Sequence, residues 1–389
     1  MEIVAEGRNW LDSLTERLRY KPKVVGADFQ PLATSWETKV LSSISSNRSG
    51  HGSIHFTHCG TSHVILAGGQ CGSRGVLRND VVCLTSGMDA GCESAPWSPR
   101  ENFSFLSSSA GEFVYVLGGD DGELRSDVWL SRDIGKSFRC QCSSAPWGGR
   151  VDFAATLVGD DSIVIVGGRI PERPGLGRFL NDVWVSSDRG RTWVSVSENA
   201  DWKPRAYSSL IYSQGTLLLI GGLTEVSVMD DVWASKDMGK TWELISLKCT
   251  PWKARRSCSL VANSLSNEIL MFGGTGADGV VLSDSWATID GGSTWHPRRP
   301  IPTAKTSSPT VSFCDSGVFA LANGQSVHKS FTDLRFVAKD CRVLLMLGKR
   351  LEPKISKDTW IGHILPYAVD TRGLWERKDI PLKKFAASN

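Results

Sequence analysis

From residue 36 onward the chain alternates short apolar runs with glycine-marked turns, and helix-type spacing is absent. Ser162-Ile163-Val164-Ile165-Val166 is typical. Such a run, bounded by turn residues and rich in β-branched side chains, reads as a buried strand. Runs of this kind end in Gly-Gly at Gly68-Gly69, Gly118-Gly119, Gly167-Gly168, Gly221-Gly222 and Gly273-Gly274, about 50 residues apart. Asn323-Gly324 is a degraded copy, and Val343 to Gly348 forms a last apolar run. Residues 1–22 differ: Trp10, Leu11, Leu14 and Leu18 fall on one helical face with charges between them. They predict a short amphipathic helix, either packed on the rest of the chain or docked to a partner. A linker follows, from Pro22 to Pro31.

Three further elements share the period. An acidic residue opens an aromatic or apolar strand in Asp80-Val81-Val82, Asp127-Val128-Trp129, Asp182-Val183-Trp184, Asp231-Val232-Trp233 and Asp284-Ser285-Trp286, with a late copy at Asp358-Thr359-Trp360. Directly after comes Ser/Thr-x-Asp-x-Gly-x-Ser/Thr-aromatic, with its acids at Asp133, Asp188, Asp237 and Asp290. The last is Pro-Trp-x-x-Arg or close to it: Trp97/Arg100, Trp147/Arg150, Trp202/Arg205 and Trp252/Arg255. A period of about 50 residues accommodates four short strands and their turns. The Gly pair suits a strand end that another backbone or a tryptophan approaches closely. In the Asp element, Ser/Thr and Asp side chains can bond backbone N–H groups of a tight hairpin, glycine takes the positive φ, and the aromatic anchors the turn.

Evenly spaced strands with a Gly/aromatic motif per unit indicate a β-propeller. The Gly-Gly, acidic-Val-Trp and Pro-Trp-x-x-Arg elements resemble kelch repeats, and the Ser-x-Asp-x-Gly-x-Thr-Trp elements resemble the Asp-box of sialidase-type propellers. The resemblance covers about residues 36–379, with an N-terminal helix and linker at 1–35 and a tail at 380–389. The fold expected is all-β, a propeller of four-stranded blades. Four periods between Gly69 and Gly274 average about 51 residues, and the remaining propeller adds about 2.7 periods, so seven blades are expected, with six as the alternative. The sixth would run from Gly317 to Val337. The seventh would hold 343–348, 358–360 and 373–375, closed by the segment around Trp36.

Composition narrows the function. With 44 basic and 41 acidic residues, the net charge of +3 is too balanced for a dedicated nucleic-acid binder. No run approaches the roughly 18 apolar residues of a membrane span. Ten cysteines in 389 residues are too few for a disulfide scaffold, and no C-x-x-C pair occurs. The N-terminus lacks a signal region. These features read as an intracellular, cytoplasmic protein with reduced thiols. Fifteen tryptophans suggest that a repeat needs them.

Candidate chemistry is sparse. Gly274-Thr275-Gly276-Ala277-Asp278-Gly279 fits G-x-G-x-x-G, but a strand follows where a dinucleotide site needs a helix. His51, His55, His58, His63 and Cys59 are the densest potential metal ligands, yet strand alternation sends His55 and His58 to opposite faces. Cys140 and Cys142 share a face by their i, i+2 spacing, and two thiols alone hold a metal poorly. Arg169-Ile170-Pro171 matches a sialidase element but sits mid-chain, and no carboxylate pair stands out for glycoside hydrolysis. No metal, cofactor or catalytic residue is assigned.

The kelch resemblance implies a non-enzymatic protein–protein interaction module, as a scaffold or structural subunit of an intracellular complex. A ubiquitin-ligase substrate adaptor and a sialidase-like glycoside hydrolase are the alternatives. One basic residue per unit recurs at Arg48, Arg100, Arg150, Arg205, Arg255 and Lys305, where one blade hands over to the next. Rotation should place these charges in a ring around the axis. In kelch adaptors, arginines at the matching position grip acidic peptides, so an acidic segment is the partner expected. Arg169, Arg173 and Arg178, in the longest loop of its kind, could extend that surface. The plainer reading pairs each cation with an acid of the adjoining blade.

Overall fold

The computed structural model describes residues 33–40, 48–58, 61–71, 75–83, 91–108, 111–172, 177–245, 250–263, 268–298, 310–314, 317–322 and 326–332. Ala33–Thr332 forms one compact unit. The helix expected at 1–22, the strands expected at 343–375 and Lys305 lie outside the described residues.

Five sheets are each built from one continuous stretch of chain. In the second, Ser104–Ser107, Val114–Asp120, Leu124–Ser131 and Arg139–Cys142 lie side by side from the innermost strand to the outermost. Their antiparallel register sets Phe105 opposite Val116, Val116 opposite Trp129, and Trp129 opposite Cys140. A sixth sheet combines the two ends of the unit: Thr310–Cys314, Gly317–Ala322 and Ser326–Thr332 are completed by Ala33–Val40. The inner strand Gly52–His58 packs beside Ser104–Ser107, and the sequence continues through Ala154–Val158, Ser209–Ser213, Ser259–Asn263 and Thr310–Cys314 back to Gly52–His58. The molecule is a β-propeller, with no α-helix among the described residues.

Each sheet is covered on both faces by its neighbours, which explains the continuous apolar second strands. Val114 to Leu117, Ile163 to Val166 and Ile269 to Phe272 are all buried. Each core cluster is shared by two adjacent units; Tyr115, Leu117 and Val128, for example, pack with Ile163, Ile165 and Trp193.

The expected seven blades are corrected. The strand around Trp36 does join a C-terminal strand, with Trp36 opposite Ser330, but it takes the outer place in the sheet of residues 310–332. The unit expected from Gly317 to Val337 thus takes its outer strand from the start of the chain. Since Thr310–Cys314 packs directly beside Gly52–His58, the ring is closed with no gap for another sheet.

The Asp elements are hairpin locks that also clamp neighbouring units. Asp188 Oδ1 accepts the backbone N–H of Thr192 at 2.9 Å and Oδ2 accepts its hydroxyl at 2.6 Å, while Ser186 Oγ accepts from Gly190 N–H at 2.8 Å. Asp133, Asp237 and Asp290 make the same contacts to Ser137, Thr241 and Thr294. Burial acts to raise the Asp188 pKa, and the bonds from Thr192, Ser186 and Arg191 outweigh it, so the group sits below its ordinary value. Gly190 has φ +82° and lies against the preceding unit, where an added Cβ would come within 2.6 Å of Val128 Cγ1. The closing aromatic stands edge-on to the Pro-Trp tryptophan: Trp193 meets Trp147 at 79° and Trp242 meets Trp202 at 90°. This interlock accounts for much of the tryptophan content.

A bulge corrects one strand reading. Cys140 pairs with Trp129 and Cys142 with Val128, so Gln141 is the extra residue and the two thiols follow partners on opposite faces. Cys142 packs against the Val128 cluster, whereas Trp129 belongs to the neighbouring one.

Candidate interaction face at the propeller mouth

The recurring arginines are internal struts. Arg205 gives Nη1 to Asp231 Oδ1 at 2.6 Å and Nη2 to Asp231 Oδ2 at 2.8 Å, and its Nη1 also reaches the carbonyl of Gly221 at 2.9 Å. The same fork joins Arg48 to Asp80 and Gly68, Arg100 to Asp127 and Gly118, Arg150 to Asp182 and Gly167, and Arg255 to Asp284 and Gly273. The arginine side chains are 0–5% exposed. One carboxylate oxygen also accepts the indole N–H of the strand tryptophan, as Trp233 Nε1 to Asp231 at 2.7 Å, which explains the acidic-Val-Trp element. The Gly pair joins units: the Gly168 N–H donates to the carbonyl of Arg205 at 2.9 Å.

Partner binding by this ring is therefore corrected for Arg48, Arg100, Arg150, Arg205 and Arg255. A guanidinium buried with both ends of its fork on one carboxylate has no face left for a peptide. Arg169 also has an internal partner, with Nε 2.8 Å from Asp152 Oδ2. Arg178 is exposed, and Arg173 lies outside the described residues.

The mouth itself is built by the residues that follow each strut. Two positions after the arginine the backbone turns left-handed, at Gly50 (φ 61°), Asn102 (55°), Asp152 (57°), Tyr207 (57°) and Ser257 (55°). Backbone bonds link these positions around the rim: Asn102 N to Gly50 O, Tyr207 N to Asp152 O and Ser257 N to Tyr207 O, at 2.8–2.9 Å. A positive φ is unfavourable for a bulky side chain such as Tyr207. The ring of Tyr207 lies beneath two guanidiniums, 5.6 Å from Arg169 and 5.4 Å from Arg256. Its hydroxyl accepts from Arg169 Nη2 at 3.0 Å. Burial raises the Asp152 pKa, against the opposing effects of Tyr207, Arg169 and Arg256.

One position after the strut, the units differ: Ser49, Glu101, Val151, Ala206 and Arg256. Each pairs, by backbone, with the turn after a Gly pair, as Glu101 with Asp120, Val151 with Arg169, Ala206 with Leu223 and Arg256 with Thr275. These turns stand on the same face as the rim. They carry Val76, Val226 and Val280, which are 52%, 83% and 55% exposed. Glu101 and Arg256 make no side-chain hydrogen bond or ion pair with any described residue. Burial, then the charges of Asp120 and Asp152, raise the Glu101 pKa.

Sequence reasoning reached Arg169 and Arg178 but missed Glu101, Asp152, Tyr207 and Arg256. Their signal was the departure from the repeat in the two positions after each strut. The Gly274–Gly279 motif forms a tight turn, with the Gly276 N–H bonded to Val280 O at 2.9 Å, and leads to the strand Ser285–Thr288. His51, His55 and His63 are largely enclosed. No group of three or more His, Cys, Asp or Glu residues is arranged to hold a metal among the described residues. No helix among them is long and apolar enough to cross a membrane.

The sheet ring, the arginine–aspartate forks and the paired glycines define a kelch-type propeller. The model of the KLHDC2/KLHL20/DRC7 Kelch-repeats domain matches residues 50–274, more than half of the 389, and the chain belongs to that family. The role of the Asp elements as turn locks rests on the hydrogen bonds above. No curated protein matches the chain. Among solved structures, one described as "Structure of YjhT" is similar over 58% of this chain and 74% of that chain, at 13% identity and a TM-score of 0.48. Nothing about function passes between the two at that level.

Proposed function

We propose that the protein is a non-enzymatic protein-interaction module, a scaffold or structural subunit of an intracellular complex, that engages its partner through the mouth. The observation that carries this reading is Arg256. Its sister residue Arg255 is fully buried and doubly bonded to Asp284. Arg256 lies half-buried on the rim, its guanidinium over the Tyr207 ring, and makes no hydrogen bond or ion pair with a described residue. A planar guanidinium held in place by an aromatic ring is suited to a carboxylate, because little side-chain freedom is lost on binding. A carboxylate of the partner thus remains the expected contact, at Arg256 and the exposed Arg178 in place of the strut ring. The exposed valines on the surrounding turns supply apolar contact. Asp152 is held by Arg169 and Tyr207, which speaks against its service in a glycosidase carboxylate pair.

The test is quantitative co-purification from cells with tagged wild type, Arg256→Glu and Arg178→Glu. The proposal expects a defined set of proteins to be depleted by Arg256→Glu at an unchanged melting temperature. Equal recovery of every partner by all three proteins would overturn it.

A further inference from the structure

Glu101 and Arg256 occupy the same place in their units, one residue after the strut. Glu101 bridges to Asp120 at the end of the second sheet, and Arg256 pairs with Thr275 beside the fifth. In a closed ring of six sheets, three steps are half a turn, so the two residues stand on opposite sides of the mouth. The equivalent residues between them, Val151 and Ala206, are uncharged and buried. Neither makes a side-chain hydrogen bond or ion pair with a described residue, and Arg256 acts on Asp152 only through space.

The surroundings of Glu101 are those of a cation receptor. Its Oε2 and the Oδ1 of Asn102 converge over Gly50, where an added Cβ would lie 2.9 and 3.0 Å from them. Asp120, the backbone partner of Glu101, directs its Oδ1 to the N–H of Gly122. Acceptors thus gather at one side of the mouth and an uncommitted guanidinium at the other. Apolar turn tips flank both sides, with Val76 in the first unit and Val226 and Val280 in the fourth and fifth.

Resting on the mouth-binding reading above, we infer that the occupant is a single peptide segment of a partner protein that carries charges of both signs. It lies across the mouth with a lysine or arginine over Glu101 and Asn102 and a carboxylate over Arg256. Charge complementarity selects this occupant over a purely acidic one, because an all-acidic segment would set like charge against Glu101, Asp120 and Asp152. The two charges fix the direction in which the segment lies, and the valines supply contact that reads no sequence.

A random dodecapeptide library displayed on phage, selected against the full-length protein, tests this. Enriched sequences are expected to pair a basic and an acidic residue at a fixed spacing and in a fixed order. Glu101→Gln should bind an enriched synthetic peptide about tenfold more weakly, as for loss of one charge-assisted contact. The double variant Glu101→Arg with Arg256→Glu should enrich the opposite charge order. Circular dichroism and the melting temperature establish that the variants are folded. If wild type enriches peptides with no basic residue, or the double variant enriches the same order as wild type, this inference fails while mouth binding stands. If no peptide is enriched, mouth binding fails with it.

Discussion

Arg255 and Arg256 are neighbours in the chain and have opposite surroundings. Arg255 is fully buried, its fork closed on Asp284 and on the carbonyl of Gly273. Arg256 lies on the rim over Tyr207 and makes no ion pair with a described residue, its charge acting on Asp152 only through space. The first repeats at Arg48, Arg100, Arg150 and Arg205; the second is replaced there by Ser49, Glu101, Val151 and Ala206. A propeller must solve the same joint at each step of its ring, so residues that build the joint recur. A binding face has no such symmetry, and its residues are found where the repeat breaks.

The contrast can be broken most forcefully at the struts. Arg205→Ala leaves the Asp231 carboxylate and the Gly221 carbonyl without their donor inside the protein, and should cost about 3–5 kcal/mol. Chemical denaturation measures this, and a loss near zero would show that the joint does not depend on the fork. Acid should act next, through the first unit. Burial, then the charge of Arg48, lowers the His51 pKa from 6.5 to about 4, and burial, then His63, does the same for His55. Both groups bind more protons unfolded than folded across that interval, so stability falls as pH drops from about 6.5 toward 4. The expected size is roughly 3 kcal/mol per histidine. His51→Gln and His55→Gln should flatten the slope, and an unchanged slope would remove the histidines as its source.

Smaller effects belong to the hairpin locks. Gly190→Ala places a Cβ at positive φ against Val128 and should cost about 1–3 kcal/mol. Asp188→Ala removes the bonds to Thr192 and should cost about 1–2 kcal/mol with partner capture unchanged. Because the Asp188 pKa is held low, its contribution is present above the ordinary carboxylate range and disappears as pH falls through the folded value. A loss of binding at an unaltered melting temperature would instead make Asp188 a contact residue.

The joint was legible in the sequence because its chemistry is repeated. Gly-Gly, acidic-Val-Trp and Pro-Trp-x-x-Arg turn out to be parts of one assembly: the glycine carbonyl, the carboxylate and the guanidinium that bridges them. The pairing of each arginine with an acid of its adjoining unit was the plainer of two readings, and it is the one observed. The blade count was not legible, since counting periods cannot reveal that the segment around Trp36, expected to close a seventh unit, completes the sheet of residues 310–332 instead. Nor was the separation of Cys140 from Cys142, because a bulge leaves no mark in strand alternation. The rim was hidden for a physical reason. Tyr207, Asp152 and Asn102 hold a left-handed backbone that side-chain type alone gives little cause to expect, and Glu101 and Arg256 look like ordinary surface charges until the ring sets them opposite each other.

The division between joint and rim is tested most directly by the thermal midpoints of Arg255→Gln and Arg256→Gln, measured side by side. Gln at 255 cannot form the fork to Asp284, and the midpoint should fall by many degrees. Gln at 256 should leave the midpoint within the change of an ordinary surface substitution, about 0.5 kcal/mol or less. Equal losses in the two proteins, or the larger loss at Arg256, would contradict the account.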